Sequence, residues 1–179
     1  VDEPWVIADQ PMYLSLYGDR SKKFGLGKLV FADRPSQAER LVWKDQNIGR
    51  LQKAKESPVL AYVEQAVNVS PNVWVGNASL SDVRVVTDTN PILKQYAWSR
   101  AELVNYTNAN GVELQGALYY PAGYETGKKY PMIVYIYEER AQSLHNFTVP
   151  SERRPYNNAT FTADGYFVFE PDIIYRPQN

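Results

Sequence analysis

The chain has 179 residues, no cysteine and a single histidine, His145. The missing cysteine excludes a disulfide scaffold, a thiol nucleophile and a Cys-ligated metal. It leaves the compartment open, periplasmic or secreted as much as cytoplasmic. The lone histidine has no second imidazole to pair with as a ligand, and reads first as a loop hydrogen-bonder rather than a base. Charge of one sign is also lacking. Nineteen basic and 20 acidic residues leave a net charge of −1, so no electrostatic footprint for nucleic acid or an acidic membrane surface is present. No run approaches the roughly eighteen apolar residues of a membrane span. The start, VDEPWVIADQP, lacks the basic and apolar regions of a signal peptide, although a processed chain would have lost one. The acidic residues show neither EF-hand spacing nor metal-site clustering, so no metal site is predicted. Gly123 and Gly127 flank Thr126 and Lys128 without the spacing of a phosphate loop, and no cofactor is implied.

Aromatic side chains are plentiful: 14 Tyr, six Phe and four Trp. Flat, amphipathic rings suit β-rich structure, where they pack across strands. Core and sheet-surface packing is the plain reading, and a carbohydrate-binding platform is the rival. At 44% hydrophobic and 22% charged the chain is ordinary globular material, long enough for one large domain or two small ones.

The first hundred residues read as all-β. Met12–Tyr17 alternates Met12, Leu14 and Leu16 against Tyr13, Ser15 and Tyr17, the pattern of a half-buried strand. Strands are predicted at Lys28–Ala32, Arg40–Lys44, Pro58–Glu64, Val73–Gly76 and Val83–Thr87, bounded by turn-forming residues. KLVFAD followed by RLVWKD is faintly echoed by VLAYVE followed by NVWVGN, about 31 residues on. That offset is shorter than the roughly 40–50 residues of a propeller blade. Gln46–Lys55 reads equally as a short helix or a loop, because Gly49 interrupts it.

The texture changes around Asp88–Trp98, and a domain boundary is expected near residues 98–102. Ala101–Thr107 and Val112–Tyr120 form a hairpin across NANG, where Asn and Gly tolerate positive φ. Met132–Tyr137 and Tyr166–Phe169 are short, continuously apolar runs separated by a long polar connection. This predicts neighbouring parallel strands buried on both faces of a sheet. The crossover between them contains Asn158–Ala163, a short helix with Asn157 or Asn158 as cap and Gly165 as stop. In α/β enzymes the chemistry sits beyond the carboxyl ends of such strands.

These residues resemble the prolyl oligopeptidase family of serine peptidases, which includes dipeptidyl peptidase IV and the acylaminoacyl peptidases. YYPAGYETGKKYPMIVYIY is similar to the segment opening the family's hydrolase domain, and DGYFVFEPDIIYR to the strand that follows. AWSRAELVNYTNANGVELQG resembles the junction between propeller and hydrolase domain. The specific likeness covers about residues 96–176. It implies a mixed β and α/β fold: the end of a β-propeller over residues 1–100, then the incomplete N-terminal part of an α/β-hydrolase sheet over residues 101–179.

The resemblance implies a parent that hydrolyses peptide bonds in short peptides through a Ser-Asp-His triad, with a peptide as its substrate partner and no cofactor. The family's serine lies in a Gly-x-Ser-x-Gly elbow, ahead of its Asp and His. No serine here has glycine two residues before and after it, so the triad is expected outside this chain and the 179 residues alone are expected to be inactive. The one catalytic role carried over is Tyr137, which the resemblance makes a donor to the oxyanion. Its plain alternative is the last aromatic of a buried strand. Many family members follow this tyrosine with a Gly-Gly-Pro-like turn, whereas this chain has Glu138-Glu139-Arg140. Glu138 and Glu139 read as solvated charge, with substrate contact as the alternative. Asp172 and Arg176 sit where the family tends to place Asp and Arg, as a salt bridge or loop anchor or as shapers of the pocket.

Five sequons start at Asn68, Asn77, Asn105, Asn146 and Asn158, where chance gives about one. They would mark a glycosylated secretory protein in a eukaryote and nothing in most bacteria. A truncated sheet would present an unpaired edge and an uncovered apolar face, so self-association through that edge is expected of the segment alone. The rival from another class is a non-catalytic, β-rich binding module for peptides or glycans.

Overall fold

The computed structural model describes residues 10–31 and 38–174. The chain divides into two compact units, residues 1–64 with 71–89 and residues 65–70 with 90–179.

The first unit is built of consecutive strands. β1 (Met12–Tyr17), β2 (Phe24–Leu29) and β3 (Glu39–Lys44) form a three-stranded antiparallel sheet in chain order. β4 (Asn47–Lys53), β5 (Val59–Ala66), β6 (Val69–Asn77) and β7 (Val83–Val85) form a second sheet, again in chain order. A four-stranded meander of this kind is the unit that a propeller repeats as its blade. The echoed segments fall in neighbouring-strand pairs, one around β2 and β3 and the other on β5 and β6.

β1 has the bounds its alternation predicts. β2 lies earlier than the expected Lys28–Ala32 strand, since FGLGKL carries two glycines that local propensity counts against a strand. Tertiary packing demands at least one of them. A Cβ on Gly25 would sit 2.1 Å from the Val42 carbonyl oxygen and 2.7 Å from the Trp43 ring. Backbone cannot yield as a side-chain tip can, so Gly25→Ala is expected to cost about 1–3 kcal/mol, read as a lowered thermal midpoint. Gln46–Lys55 is neither helix nor loop over most of its length, because β4 occupies it. Arg50 there takes a left-handed conformation (φ 52°), which resets the strand's alternation. Ile48 and Leu51, three apart, therefore both reach the core with a spacing that imitates a helix.

That core consists of Leu26, Ile48, Leu60, Tyr62 and Leu80, with Phe24 and Trp74 packed against it. Tyr62 is 1% exposed, and its hydroxyl has no hydrogen-bond partner among the described residues. Burial, with the Glu64 charge second, pushes its phenol up from 10.0 to about 12. Burying an unsatisfied hydroxyl costs about 1–3 kcal/mol. Tyr62→Phe keeps the ring stacked near Trp74 (centroids 6.5 Å) and is expected to stabilise by about 1 kcal/mol at neutral pH. The raised phenol pKa means that wild-type stability from this group holds below pH 10 and falls as pH rises towards 12. A thermal melt at pH 7 and at pH 11 checks both, the Phe variant gaining more at pH 11.

The second unit holds one mixed sheet. β8 (Ala101–Thr107) and β9 (Glu113–Tyr119) make the predicted hairpin, with Ala101 opposite Tyr119 and Thr107 opposite Glu113. Its turn is tied by the Asn108 side-chain oxygen, which accepts from the N–H groups of Asn110 and Val112, while Gly111 takes φ 76°. β10 (Met132–Val134), the helix α1 (Asn158–Ala163) and β11 (Phe167–Pro171) follow, and the sheet order is β10-β11-β9-β8. β10 and β11 are parallel, as their apolar runs and the crossover predict. α1 is capped by Asn157, whose side chain accepts from the Thr160 N–H at 3.1 Å, and Gly165 (φ 86°) follows its end. Ala117, Tyr119, Leu144 and Val168 form the buried core of this unit, with Leu103 and Phe161 against it.

β10 departs from expectation in burial and length. The run Met132–Tyr137 was expected to be buried on both faces, yet only three of its residues are strand, at the sheet's edge. Met132, Val134 and Ile136 are 51%, 51% and 60% exposed, whereas Ile133 and Tyr135 are half-buried. An apolar run reports a strand suited to two covered faces. Among the described residues, only one face of β10 is covered.

Candidate active site

Because β10 and β11 are parallel, their carboxyl ends emerge on one side of the sheet, with Met132, Ile133 and Val134 level with Phe167, Val168 and Phe169. Beyond the strands the two segments stay side by side. The Tyr135 N–H donates to the Phe169 carbonyl at 2.9 Å, and the Ile173 N–H donates to the Glu138 carbonyl at 2.9 Å. Tyr137 lies between these two tethers. Its side chain is 58% exposed, and its hydroxyl has no hydrogen-bond partner among the described residues.

The backbone turns sharply after Tyr137. Glu138 sits at φ 42°, a left-handed conformation that is costly for any residue with a Cβ. A glycine at the position after the tyrosine would take this turn without strain. Arg140 precedes a 3-10 turn, Ala141–Ser143. The first N–H groups of such a turn have no partner within it. The Asp172 Oδ1 accepts from two of them, Arg140 N at 2.5 Å and Ala141 N at 2.7 Å. Asp172 thus acts as the loop anchor. Arg176, its expected companion, lies outside the described residues.

The Arg140 guanidinium reaches Glu170 instead. Its Nε and Nη2 donate to Glu170 Oε2 at 3.1 and 2.9 Å. Glu170 is 3% exposed, and burial pushes its carboxyl up from the usual range, while the Arg140 charge pulls it back. Arg140 also lies 5.2 Å from the centroid of the Tyr135 ring, within range of a cation–π contact. Tyr156 stacks on that same ring at 4.8 Å. Tyr119, 1% exposed, donates its hydroxyl to the Ser143 carbonyl. Burial raises its pKa most, the Glu170 charge next, with Arg140 opposing, so it is a neutral donor at any ordinary pH.

Glu138 and Glu139 are exposed at the turn, consistent with solvated charge. His145 is half-buried just past the 3-10 turn. Among the described residues no group of three His, Asp or Glu side chains could hold a metal ion, and no helix is long and apolar enough to cross a membrane. A separate small pocket lined by Trp98, Ser99, Tyr119, Asn158 and Thr162 contains no carboxylate, histidine or lysine, and so offers no acid–base pair. Four contributors to the site, Arg140, Glu170, Tyr135 and Tyr156, escape sequence reasoning. One signal pointed to them: FVFEP places Glu170 at an inward position of an apolar strand, and a buried carboxylate needs a cation. Arg140 is the only cation between β10 and the 3-10 turn.

No protein-family model matches the chain. The venom dipeptidyl peptidase 4 of Apis mellifera is 26% identical over 122 residues, which is 68% of this chain and 13% of that protein. Among solved structures, the AtxE2 isopeptidase superposes with a TM-score of 0.69 at 17% identity, over 94% of this chain and 25% of its own. Porphyromonas gingivalis dipeptidyl peptidase 4 gives 0.65 at 14% identity, over 93% of this chain and 23% of its own. The chain therefore spans about a quarter or less of the proteins it matches. Over that span it is similar, in sequence and in fold, to peptidases of the prolyl oligopeptidase family.

Proposed function

We propose that these residues are part of a serine-type peptidase that hydrolyses peptide bonds in short peptides. Residues 1–100 are the end of its propeller, and residues 101–179 the first strands of its α/β-hydrolase domain. The observation that carries this reading is the parallel pair β10 and β11 with Tyr137 just beyond its carboxyl end. A phenol there is a neutral donor on a rigid ring, suited to an oxyanion that forms as a nucleophile adds to a carbonyl. The nucleophile itself lies outside the 179 residues, none of whose serines sits in a Gly-x-Ser-x-Gly elbow. No cofactor enters the reaction.

The test uses the full-length protein that carries this segment. A fluorophosphonate probe is expected to label one serine outside residues 1–179, and a short peptide amide is expected to be cleaved until that serine is labelled. A full-length protein that is folded, unlabelled and inert on a panel of di- to hexapeptide amides would overturn the reading. The 179 residues alone are expected to be inert in the same assay.

The exposed apolar side chains Met132 and Val134 on an edge strand, with Ile136 just beyond its end, support self-association of the isolated segment, because unpaired N–H and C=O groups beside apolar side chains template strand pairing. Val134→Lys is expected to shift the isolated segment towards monomer in size-exclusion chromatography, since a charge on an edge opposes that pairing.

A further inference from the structure

We propose that the Asp172 carboxylate is the positioning group for the Tyr137 hydroxyl: by holding the N–H groups of Arg140 and Ala141 it fixes the turn that aims the tyrosine. This inference rests on the reading of Tyr137 as an oxyanion donor. An exposed ring with no hydrogen-bond partner of its own among the described residues starts from the Cα–Cβ direction that its backbone sets, so whatever fixes the backbone on either side decides where its rotamers can bring the hydroxyl. On the amino side the tether is a single sheet bond, Tyr135 N–H to Phe169 carbonyl. On the carboxyl side the chain passes through Glu138 at φ 42°. Such a conformation costs of order 1–3 kcal/mol and persists only where surroundings over-determine it. Those surroundings are the Ile173 bond to the Glu138 carbonyl and the two bonds to Asp172 Oδ1.

Asp172 is itself immobilised. Its N–H donates to the Gln115 carbonyl at 2.8 Å, and its carbonyl accepts from the Tyr106 hydroxyl. It is therefore tied to β9 by its N–H, to β8 by its carbonyl and to the turn by its side chain. Rigidity passes from the sheet to the turn through one carboxylate. Hydrogen bonds to an ionised acceptor are about twice as strong as neutral ones, which suits a group that must hold a strained turn. Arg140 adds a second restraint, its guanidinium forked on the buried Glu170.

The experiment measures kcat and KM of peptide hydrolysis by the full-length protein, with thermal melts alongside. Asp172→Ala is expected to lower kcat about tenfold to a hundredfold, the loss that accompanies misplacement of a catalytic group by about 1 Å, with KM nearly unchanged. Asp172→Asn is expected to restore most of it, since an amide oxygen accepts the same two N–H groups. In a Tyr137→Phe background, Asp172→Ala is expected to cause little further loss, because the group it positions is already gone.

Should the Ala variant fail to fold, Asp172→Glu keeps the charge on a longer arm. It is expected to lower kcat at least about fivefold with a near-normal melting temperature. A folded Ala or Glu variant with wild-type kcat would overturn the proposal. So would an Ala loss that multiplies in full with that of Tyr137→Phe. An unchanged kcat in Tyr137→Phe alone would instead sink the donor reading, and this inference with it.

Discussion

Tyr137→Phe is expected to lower kcat of the full-length protein about 10²–10³-fold, or roughly 3–4 kcal/mol, with KM and thermal stability close to wild type. The stability half of this expectation comes from the structure. The ring is 58% exposed and its hydroxyl bonds to no described residue, so the folded state loses nothing when the oxygen goes. The kinetic half comes from the proposed role. A donor aimed at the oxyanion acts on charge that exists only in the transition state, so its loss falls on kcat and not on ground-state binding. A variant with lowered melting temperature and proportionate loss of soluble protein would make Tyr137 a packing residue. A raised KM at constant kcat would make it a binding residue.

The second large effect concerns the buried pair. Arg140→Met keeps much of the side chain's apolar bulk and removes the charge facing Glu170. Breaking a buried pair from one side costs about 3–5 kcal/mol, since the remaining charge is left unpaired. The low end applies, because the Arg140 side chain is 29% exposed and water can partly replace it.

The loss is expected to depend on pH with a definite sign. Burial already raises the Glu170 carboxyl in the wild type, while Arg140 opposes that rise. An acid whose folded pKa is raised binds its proton more readily when folded. Its contribution to stability is therefore full below the unfolded value and lost as pH rises through the folded one. Without Arg140 the opposing charge is gone, and the folded value moves higher still. Thermal melts of wild type and variant should thus diverge at pH 7 and converge near pH 4, where Glu170 is neutral and needs no cation. Arg140→Met that destabilises equally at both pH values would mean that the guanidinium acts through packing on Tyr135 rather than through Glu170. Arg140→Met with Glu170→Gln, carrying no buried charge, is expected to recover part of the loss at pH 7.

Local chemistry alone determined much of this protein. The bounds of the Met12–Tyr17 strand, the NANG turn, a cap at one of the two candidate asparagines (Asn157) and the Gly165 stop each appear as read, although Tyr13, on the face read as outward, packs against the core. The two apolar runs around a long crossover likewise specify a parallel pair, because parallel neighbours need such a connection. The segments on either side of Tyr137 carried the family resemblance for the same reason: they are short, contiguous and chemically distinctive.

Tertiary structure decided what depends on residues far apart in the chain. β2 exists despite two glycines because the backbone of β3 comes so close that a Cβ at Gly25 has no room. β4 masqueraded as a possible helix because one left-handed residue, Arg50, shifted its period. The anchoring of the turn after Tyr137 joins Arg140 to Glu170 and Asp172, 30 and 32 residues away. No local pattern encodes such a pairing. A carboxylate among apolar residues announces that it needs a partner, but only the packing of strand against turn selects which cation, and which two N–H groups, will satisfy it.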